Sequence, residues 1–197
     1  MLAAGRLPRA RAVAAAAACA ALAATLARPA PAAADEVPPG SLSVIVGAAS
    51  GTGVDANRLG FGYQIGGQAA WQPMATERRI GWAIKWSAAF GTMYDAEAAS
   101  VGDTLKTLHM DLMLGLRLRP GQNPSRYLTL RAGGQLLRTN QTIPPSDERA
   151  FPGAVASVGL DQYAFGFLFN VDVRVDQIAG TGPTIIALVF GAGKTGP

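Results

Sequence analysis

Residues 163–176 read YAFGFLFNVDVRVD, and this stretch decides the fold class of the chain. Every second residue from Tyr163 to Val175 is aromatic or β-branched, whereas the residues between them are mostly small or polar. Side chains of a β-strand point to opposite faces in turn, and a helix with about 3.6 residues per turn would mix the two sets. The stretch therefore predicts one long strand with a bulky apolar face and a polar face.

The same alternation recurs along the chain and predicts eight strands. It is clear in three further segments, at residues 59–71, 80–91 and 107–119. It is weaker in four, at residues 42–48, 128–136, 154–160 and 184–192. Gly, Pro, Asp, Asn and Ser gather between these segments, as turns require. Longer links alternate with shorter ones along the chain. The longer links lie at 50–58, 93–104 and 139–152, and the shorter ones at 72–79, 119–126 and 161–162. The link at 177–183 is short and departs from this alternation. This order predicts an all-β, antiparallel, up-and-down sheet.

Residues 1–34 differ from the rest of the chain and have the pattern of a secretory signal peptide. Arg6, Arg9 and Arg11 precede an apolar run over 13–26, and small alanines follow at 32–34. This order predicts cleavage before Asp35 and a barrel domain over 35–197. The apolar run is shorter than the roughly 20 residues of a membrane-spanning helix. Lipidation at Cys19 is disfavoured because no bulky aliphatic residue precedes it among the alanines.

The charge balance changes once this segment is set apart. The chain has 17 Lys plus Arg and 13 Asp plus Glu, but residues 1–34 contribute four arginines and no acid. The remainder is therefore nearly neutral, so no basic surface for nucleic acid is expected. Cys19 is the one cysteine, which leaves no thiolate for a disulfide or a metal site after residue 34. No metal site and no cofactor motif is expected.

The two faces of the predicted strands favour a membrane barrel over a soluble one. Small residues dominate the polar face, which suits a crowded interior, while Trp, Phe, Leu and Ile dominate the other. Segments of about 9–11 residues are long enough to cross hydrocarbon as tilted strands. Closing the sheet satisfies every backbone donor and acceptor within lipid. A soluble β-sandwich or secreted ligand-binding barrel remains the alternative, which a cooperative fold in detergent-free buffer would support.

In signal peptide, strand count and alternation, the chain resembles the small eight-stranded bacterial outer-membrane β-barrel family. The resemblance extends over residues 35–197 and implies location in the outer membrane, with membrane lipid as a partner. Proteins of this family usually end on an aromatic residue in the last strand. Phe190 lies in such a strand, although residues 191–197 (GAGKTGP) follow it. The GAGKT segment is not expected to be a phosphate-binding loop, because Leu188 stands where such a loop needs its first glycine.

Aromatic residues predict an interfacial girdle near one rim of the barrel. With antiparallel strands, four of them would lie at the same level of the membrane, namely Trp71, Trp82, Tyr127 and Tyr163. Phe61 and Phe90 approach the opposite rim.

Charged residues on the polar face predict an ionic network inside the barrel. Its expected members are Lys85, His109, Asp111, Arg117, Arg131, Asp161, Asp172 and Arg174. Buried charges require partners, and an eight-stranded barrel has an interior just wide enough for side chains to fill. We therefore expect no large pore.

A catalytic role has one weak set of candidates. His109 is the single histidine, with Asp111 in the same column and Ser87 on the preceding strand. These are a base, an orienting acid and a nucleophile in principle. A hydrogen-bonded interior histidine is the favoured interpretation, because a filled barrel offers lipid substrates no route to the site.

The sequence favours a structural or surface-interaction barrel over an enzyme. Its contacts with a ligand or protein are expected at loops 93–104 and 139–152. A lipid-modifying outer-membrane enzyme and a soluble secreted ligand-binding barrel are the alternatives.

Overall fold

The protein forms a closed barrel in the computed structural model, which describes residues 39–52, 60–73, 79–94, 104–121, 125–140, 149–179 and 184–196. The strands are β1 Gly40–Thr52, β2 Phe61–Trp71, β3 Ile80–Tyr94, β4 Thr104–Leu118, β5 Arg126–Thr139, β6 Ala150–Ala164, β7 Phe167–Ile178 and β8 Thr184–Gly196. Each strand pairs antiparallel with the next, and β1 closes on β8. The predicted fold class and strand number are confirmed. The predicted signal peptide at 1–34 lies outside the described residues.

The hairpin between β6 and β7 corrects one prediction. The sequence pattern placed a link at 161–162 and one strand through 163–176, whereas the turn is Phe165–Gly166. Both turn residues have positive φ, 55° at Phe165 and 77° at Gly166, as two-residue hairpins matched to the twist of a sheet require. Such turns usually contain Asn-Gly or Asp-Gly. Phenylalanine concealed this one because it continued the apolar pattern across the turn.

The outer face of the barrel is apolar. Leu42, Ile65 and Phe90 are 71%, 56% and 67% exposed. Large apolar side chains at alternate positions of the other described strands are exposed in the same way. The opposite face of each strand is buried within the barrel. Among the described residues, no helix is long and apolar enough to cross a membrane.

The interior has apolar ends and a charged middle. An apolar cluster lies toward the end with the longer links, where several members are within two residues of a strand end, including Met93, Leu105, Leu137, Phe151, Ile178 and Ile185. Tyr127, Tyr163 and Leu168 form a second cluster at the short-link end. The apolar layer at the long-link end was not predicted, because these residues fall beyond or at the margins of the predicted segments.

Two glycines leave the space that the charged middle layer occupies. A Cβ atom on Gly159 would lie 1.8 Å from Oδ1 of Asp172, and one on Gly191 would lie 1.9 Å from Oδ1 of Asn170. Real side chains never approach so closely. These positions of β6 and β8 therefore accommodate polar side chains that β7 directs inward.

Candidate functional site

Asp172 of β7 is the centre of the charged layer. It forms an ion pair with Lys85 of β3, and its Oδ1 accepts a hydrogen bond from Arg131 of β5 at 3.0 Å. Arg131 also contacts Asp161 of β6 at 3.2 Å. Because all four side chains are buried, each charge relies on these partners in place of water. The two pairs of Asp172 join β7 to β3 and β5, which are not its neighbours in the sheet, so they brace the barrel across its interior, whereas the Arg131–Asp161 pair joins the adjacent strands β5 and β6.

Arg174 of β7 is the centre of a second group one step further along the strand. Its guanidinium pairs with Asp111 of β4 and, at 2.6 Å, with Asp176. The side-chain oxygen of Gln135 accepts a third bond from Arg174 at 3.4 Å. Asp176 was not among the expected members, although it follows Asp172 and Arg174 in the inward column of the sequence. The alternation alone was sufficient to include it.

Amide side chains extend this layer toward β2. Gln68 donates to Oδ1 of Asn170 at 2.7 Å, and Asn170 donates to Asp172 at 3.0 Å. Neither amide residue was predicted to belong to the network, because uncharged polar residues are common on any inward face. The bonded chain thus runs from β2 through β7 to β5.

Arg117 behaves differently from the other inward cations. It is fully buried, and its guanidinium carbon lies 3.5 Å from the ring centroid of Tyr127 and 4.8 Å from that of Tyr163. Its Nη1 donates to the backbone oxygen of Gln72 at 3.3 Å. The expected pairing of Arg117 with an aspartate is not found among the described ion pairs. Stacking on two aromatic rings stabilises this cation instead.

Tyr127 and Tyr163 consequently correct the predicted aromatic girdle. They are 1% and 8% exposed and face the interior, where their rings meet edge to face at 5.8 Å. The sequence placed Tyr163 on the outer face because the same alternation was continued through the unrecognised turn. Tyr127 precedes Leu128 on β5 and belongs to the inward column by parity. Its assignment to the rim rested on residue type alone.

The outer rim at the short-link end carries other aromatic residues. Trp71 and Trp82 are each 46% exposed, and their rings lie 4.6 Å apart in an edge-to-face arrangement. Phe165 at the hairpin is 88% exposed, and Phe167 and Phe169 lie 6.5 Å apart on the strand that follows. Trp71 and Trp82 thus lie outward as expected, while phenylalanines occupy the region where the two tyrosines were expected.

The candidate catalytic residues do not form a nucleophile and base pair. Ser87 donates its hydroxyl hydrogen to Asp111, which is also held by Arg174. His109 is 3% exposed, and within the described structure its Nδ1 has no hydrogen-bond partner. A serine nucleophile needs a base within hydrogen-bond reach.

The described residues also contain no group of three His, Cys, Asp or Glu side chains able to hold a metal ion.

Together, the apolar outer face, the closed antiparallel sheet and the ionic interior define an inside-out β-barrel. Comparison with protein-family models and with curated proteins finds no match. Several solved structures share the architecture. The attachment invasion locus protein Ail of Yersinia pestis has 11% identity and a TM-score of 0.54, covering 81% of this chain and 99% of its own. Neisserial surface protein A has 10% identity and a TM-score of 0.54, covering 82% and 100%.

A second structure of Ail, in complex with the heparin analogue sucrose octasulfate, is similar at 13% identity and a TM-score of 0.51. At identities this low, the structural similarity shows a shared fold and nothing more specific. The chain therefore has the fold of the small eight-stranded outer-membrane β-barrels, as the resemblance in its sequence pattern predicted.

Proposed function

We propose that this protein is an outer-membrane β-barrel with a structural or surface-interaction role and a narrow, charge-filled lumen. The observation that carries the proposal is the inverted distribution of side chains. Large apolar residues such as Trp86 and Leu114 are 50% and 60% exposed, whereas Lys85, Arg131 and Asp172 are buried. A lipid bilayer is the solvent in which this arrangement is favourable.

The same distribution disfavours a soluble secreted barrel. Apolar surface left in water costs about 25 cal/mol per Å², and soluble monomers rarely expose large contiguous apolar patches. A soluble barrel would bury its apolar face and present Lys, Glu and Thr outside. The described strands carry Leu, Val, Ile, Phe and Trp at the exposed positions instead.

The interior supports a barrel without a wide pore. The ion pairs around Asp172 and Arg174 occupy the middle of the lumen, and the apolar cluster that includes Met93 and Leu137 fills the end with the longer links. An ion entering from that end would have to shed its hydration in an apolar layer. We expect planar-bilayer recordings of the purified protein to show no large, steady channels, which would contradict this part of the proposal if they appeared.

A surface role would rest on loops 93–104 and 139–152, most of which lie outside the described residues. In sequence, these two loops are acidic, with Asp95, Glu97, Asp103, Asp147 and Glu148 against a single basic residue, Arg149. This charge favours a cationic partner. The heparin analogue bound in the Ail structure is an anion. The partner proposed for this protein therefore has the opposite charge.

Gel migration of the membrane fraction tests closed-barrel structure and location in one experiment. Unheated protein should migrate differently from boiled protein, and it should sediment with the outer membrane on a density gradient. Soluble protein in the periplasmic fraction, with a cooperative fold in detergent-free buffer, would overturn the proposal. Lipid analysis of a deletion strain tests the enzymatic alternative, because deleting a lipid-modifying barrel would leave its substrate lipid unmodified.

A further inference from the structure

The charges of the described strands are divided by sign between the two faces of the barrel. Every aspartate among the described residues is buried in the interior, namely Asp111, Asp161, Asp172 and Asp176. Lys106 on β4 and Arg138 on β5 are exposed on the outer face at the long-link end. Neither belongs to any of the ion pairs between described residues. The described part of the outer face therefore carries cations at this rim without acidic neighbours.

Lys106 and Arg138 are close neighbours on that face. Arg138 is the register partner of Leu108, and Lys106 precedes Leu108 by two residues, so the two cations are diagonal neighbours. The Cα atoms of diagonal neighbours lie about 7–8 Å apart, within reach of long side chains. The Lys106 amide donates to Oδ1 of Asn140 at 2.9 Å, and the Asn140 amide donates to the Lys106 carbonyl at 3.2 Å. These bonds fix the backbone of Lys106 beside β5.

Two like charges at this spacing repel each other unless an anion lies between them. An anion in contact with both side chains would replace the repulsion by charge-assisted hydrogen bonds. Because both side chains are exposed and project from the same face, one ligand can contact the two at once. A phosphate group has several acceptor oxygens, which suit an ammonium and a guanidinium together. The chemistry of this pair therefore selects a phosphate.

The height of the pair on the barrel matches the boundary between lipid headgroups and acyl chains. The outward column of β4 is apolar without interruption from Leu108 to Leu118. At about 3.3 Å per residue and a strand tilt of about 40°, this column is about 25 Å tall, which is the height of the apolar band of a transmembrane barrel. Lys106 is the next outward residue on β4, and Arg138 is the outward residue that follows Leu136 on β5. Both cations thus lie directly beyond the apolar band.

We infer that Lys106 and Arg138 form a binding site for the phosphate group of a membrane lipid. The phosphate accepts hydrogen bonds from the Lys106 ammonium and the Arg138 guanidinium, and the acyl chains lie over Leu108 and Leu136. The inference rests on the proposed membrane location. It extends that proposal from general embedding in a bilayer to one class of lipid at one place on the rim.

A fluorescent reporter beside the pair tests the inference. Tyr94 is half exposed and follows Thr92, the register partner of Lys106, by two residues. The full-length barrel carries Tyr94→Trp, and phenylalanine replaces all three native tryptophans. It is reconstituted into phosphatidylcholine vesicles that contain a small fraction of brominated lipid, either phosphatidic acid or phosphatidylcholine. Bromine quenches tryptophan fluorescence at short range. We expect phosphatidic acid to associate about 30-fold more strongly, since each basic residue near an anionic lipid contributes about fivefold.

Matched variants assign this preference to the two cations. Lys106→Gln and Arg138→Gln should each reduce it to about fivefold, and the double variant should reduce it to about one. Arg138→Lys keeps the charge and should retain most of the preference. Lys194→Gln is the control, because Lys194 is an exposed lysine at the short-link end of β8 and should leave the preference unchanged. Each variant is first checked for heat-modifiable migration, so that a misfolded barrel is not taken for a lost site.

The outcomes separate this inference from the proposed function. Equal quenching by the two lipids before the cations are substituted, or a preference that survives the double substitution, overturns the phosphate site while the membrane barrel stands. Absence of quenching by either lipid overturns the membrane location itself. Inorganic phosphate is added as a competitor, and loss of the preference at modest phosphate concentrations would overturn the lipid assignment in favour of a small-anion site.

Discussion

Substituting Asp172 by Asn tests the ionic interior most directly, because this carboxylate holds two cations at once. Its side chain is 1% exposed and that of Lys85 is 5% exposed, so neither charge has water as a substitute partner. Arg131 keeps its contact with Asp161 at 3.2 Å after the substitution, whereas Lys85 loses its ion-pair partner. Breaking a buried pair in this way costs about 3–5 kcal/mol. We expect a loss of that size in the free energy of unfolding.

A double-mutant cycle shows whether the loss comes from the pair itself. Lys85→Met removes the stranded cation, so the double variant Lys85→Met with Asp172→Asn should recover about 1–3 kcal/mol relative to the sum of the two single losses. Lys194→Met, at an exposed lysine of β8, serves as the surface control and should change stability by less than about 0.5 kcal/mol.

Urea unfolding of the barrel in lipid vesicles measures these free energies, with tryptophan fluorescence and gel migration as independent probes. Coincidence of the two transitions supports a two-state analysis. A loss below about 0.5 kcal/mol for Asp172→Asn, within the range of ordinary surface substitutions, would refute the burial argument. Strictly additive losses in the cycle would show that Lys85 and Asp172 do not depend on each other.

Three further predictions follow from the geometry of single positions. Gly159→Ala should destabilise the barrel by about 1–3 kcal/mol through the clash of its Cβ with Asp172, whereas Gly134→Ala, with nothing within 4 Å of its added Cβ, should be nearly neutral in the same urea titration. Phe165→Asn should raise stability in detergent by up to about 1 kcal/mol, because asparagine tolerates the φ of 55° better than phenylalanine; a loss of stability there would contradict the strain argument. Arg117→Lys should cost about 1–2 kcal/mol despite keeping the charge, since an ammonium cannot stack on two rings as a guanidinium does, and an unchanged unfolding midpoint would show that charge alone matters.

The turn at Phe165–Gly166 shows how one local error spreads. A two-residue hairpin pairs the residues on either side of it, so Ala164 faces the same side as Phe167, and Tyr163 the same side as Leu168. Inward residues are therefore odd-numbered on β6 and even-numbered on β7. Treating 163–176 as one strand assigned the residues of β7 to the correct faces. The same odd–even rule, extended back across the turn, assigned Tyr163 to the outer face, which is wrong. A more conventional turn sequence would have marked the boundary.

The alternation of side chains by itself predicted eight antiparallel strands and which residues of most strands face outward, because the direction of a side chain along a strand is a local property. Closure of the sheet by pairing of β1 with β8 is a tertiary feature. The identity of each ionic contact was decided by the tertiary structure. Lys85 on β3 meets Asp172 on β7, and Asp111 on β4 meets Arg174 on β7, across the interior of the barrel. Such contacts depend on strand stagger and closure. The choice of aromatic rings over a carboxylate for Arg117 likewise follows from which ends of β4, β5 and β6 meet, and no local pattern encodes that.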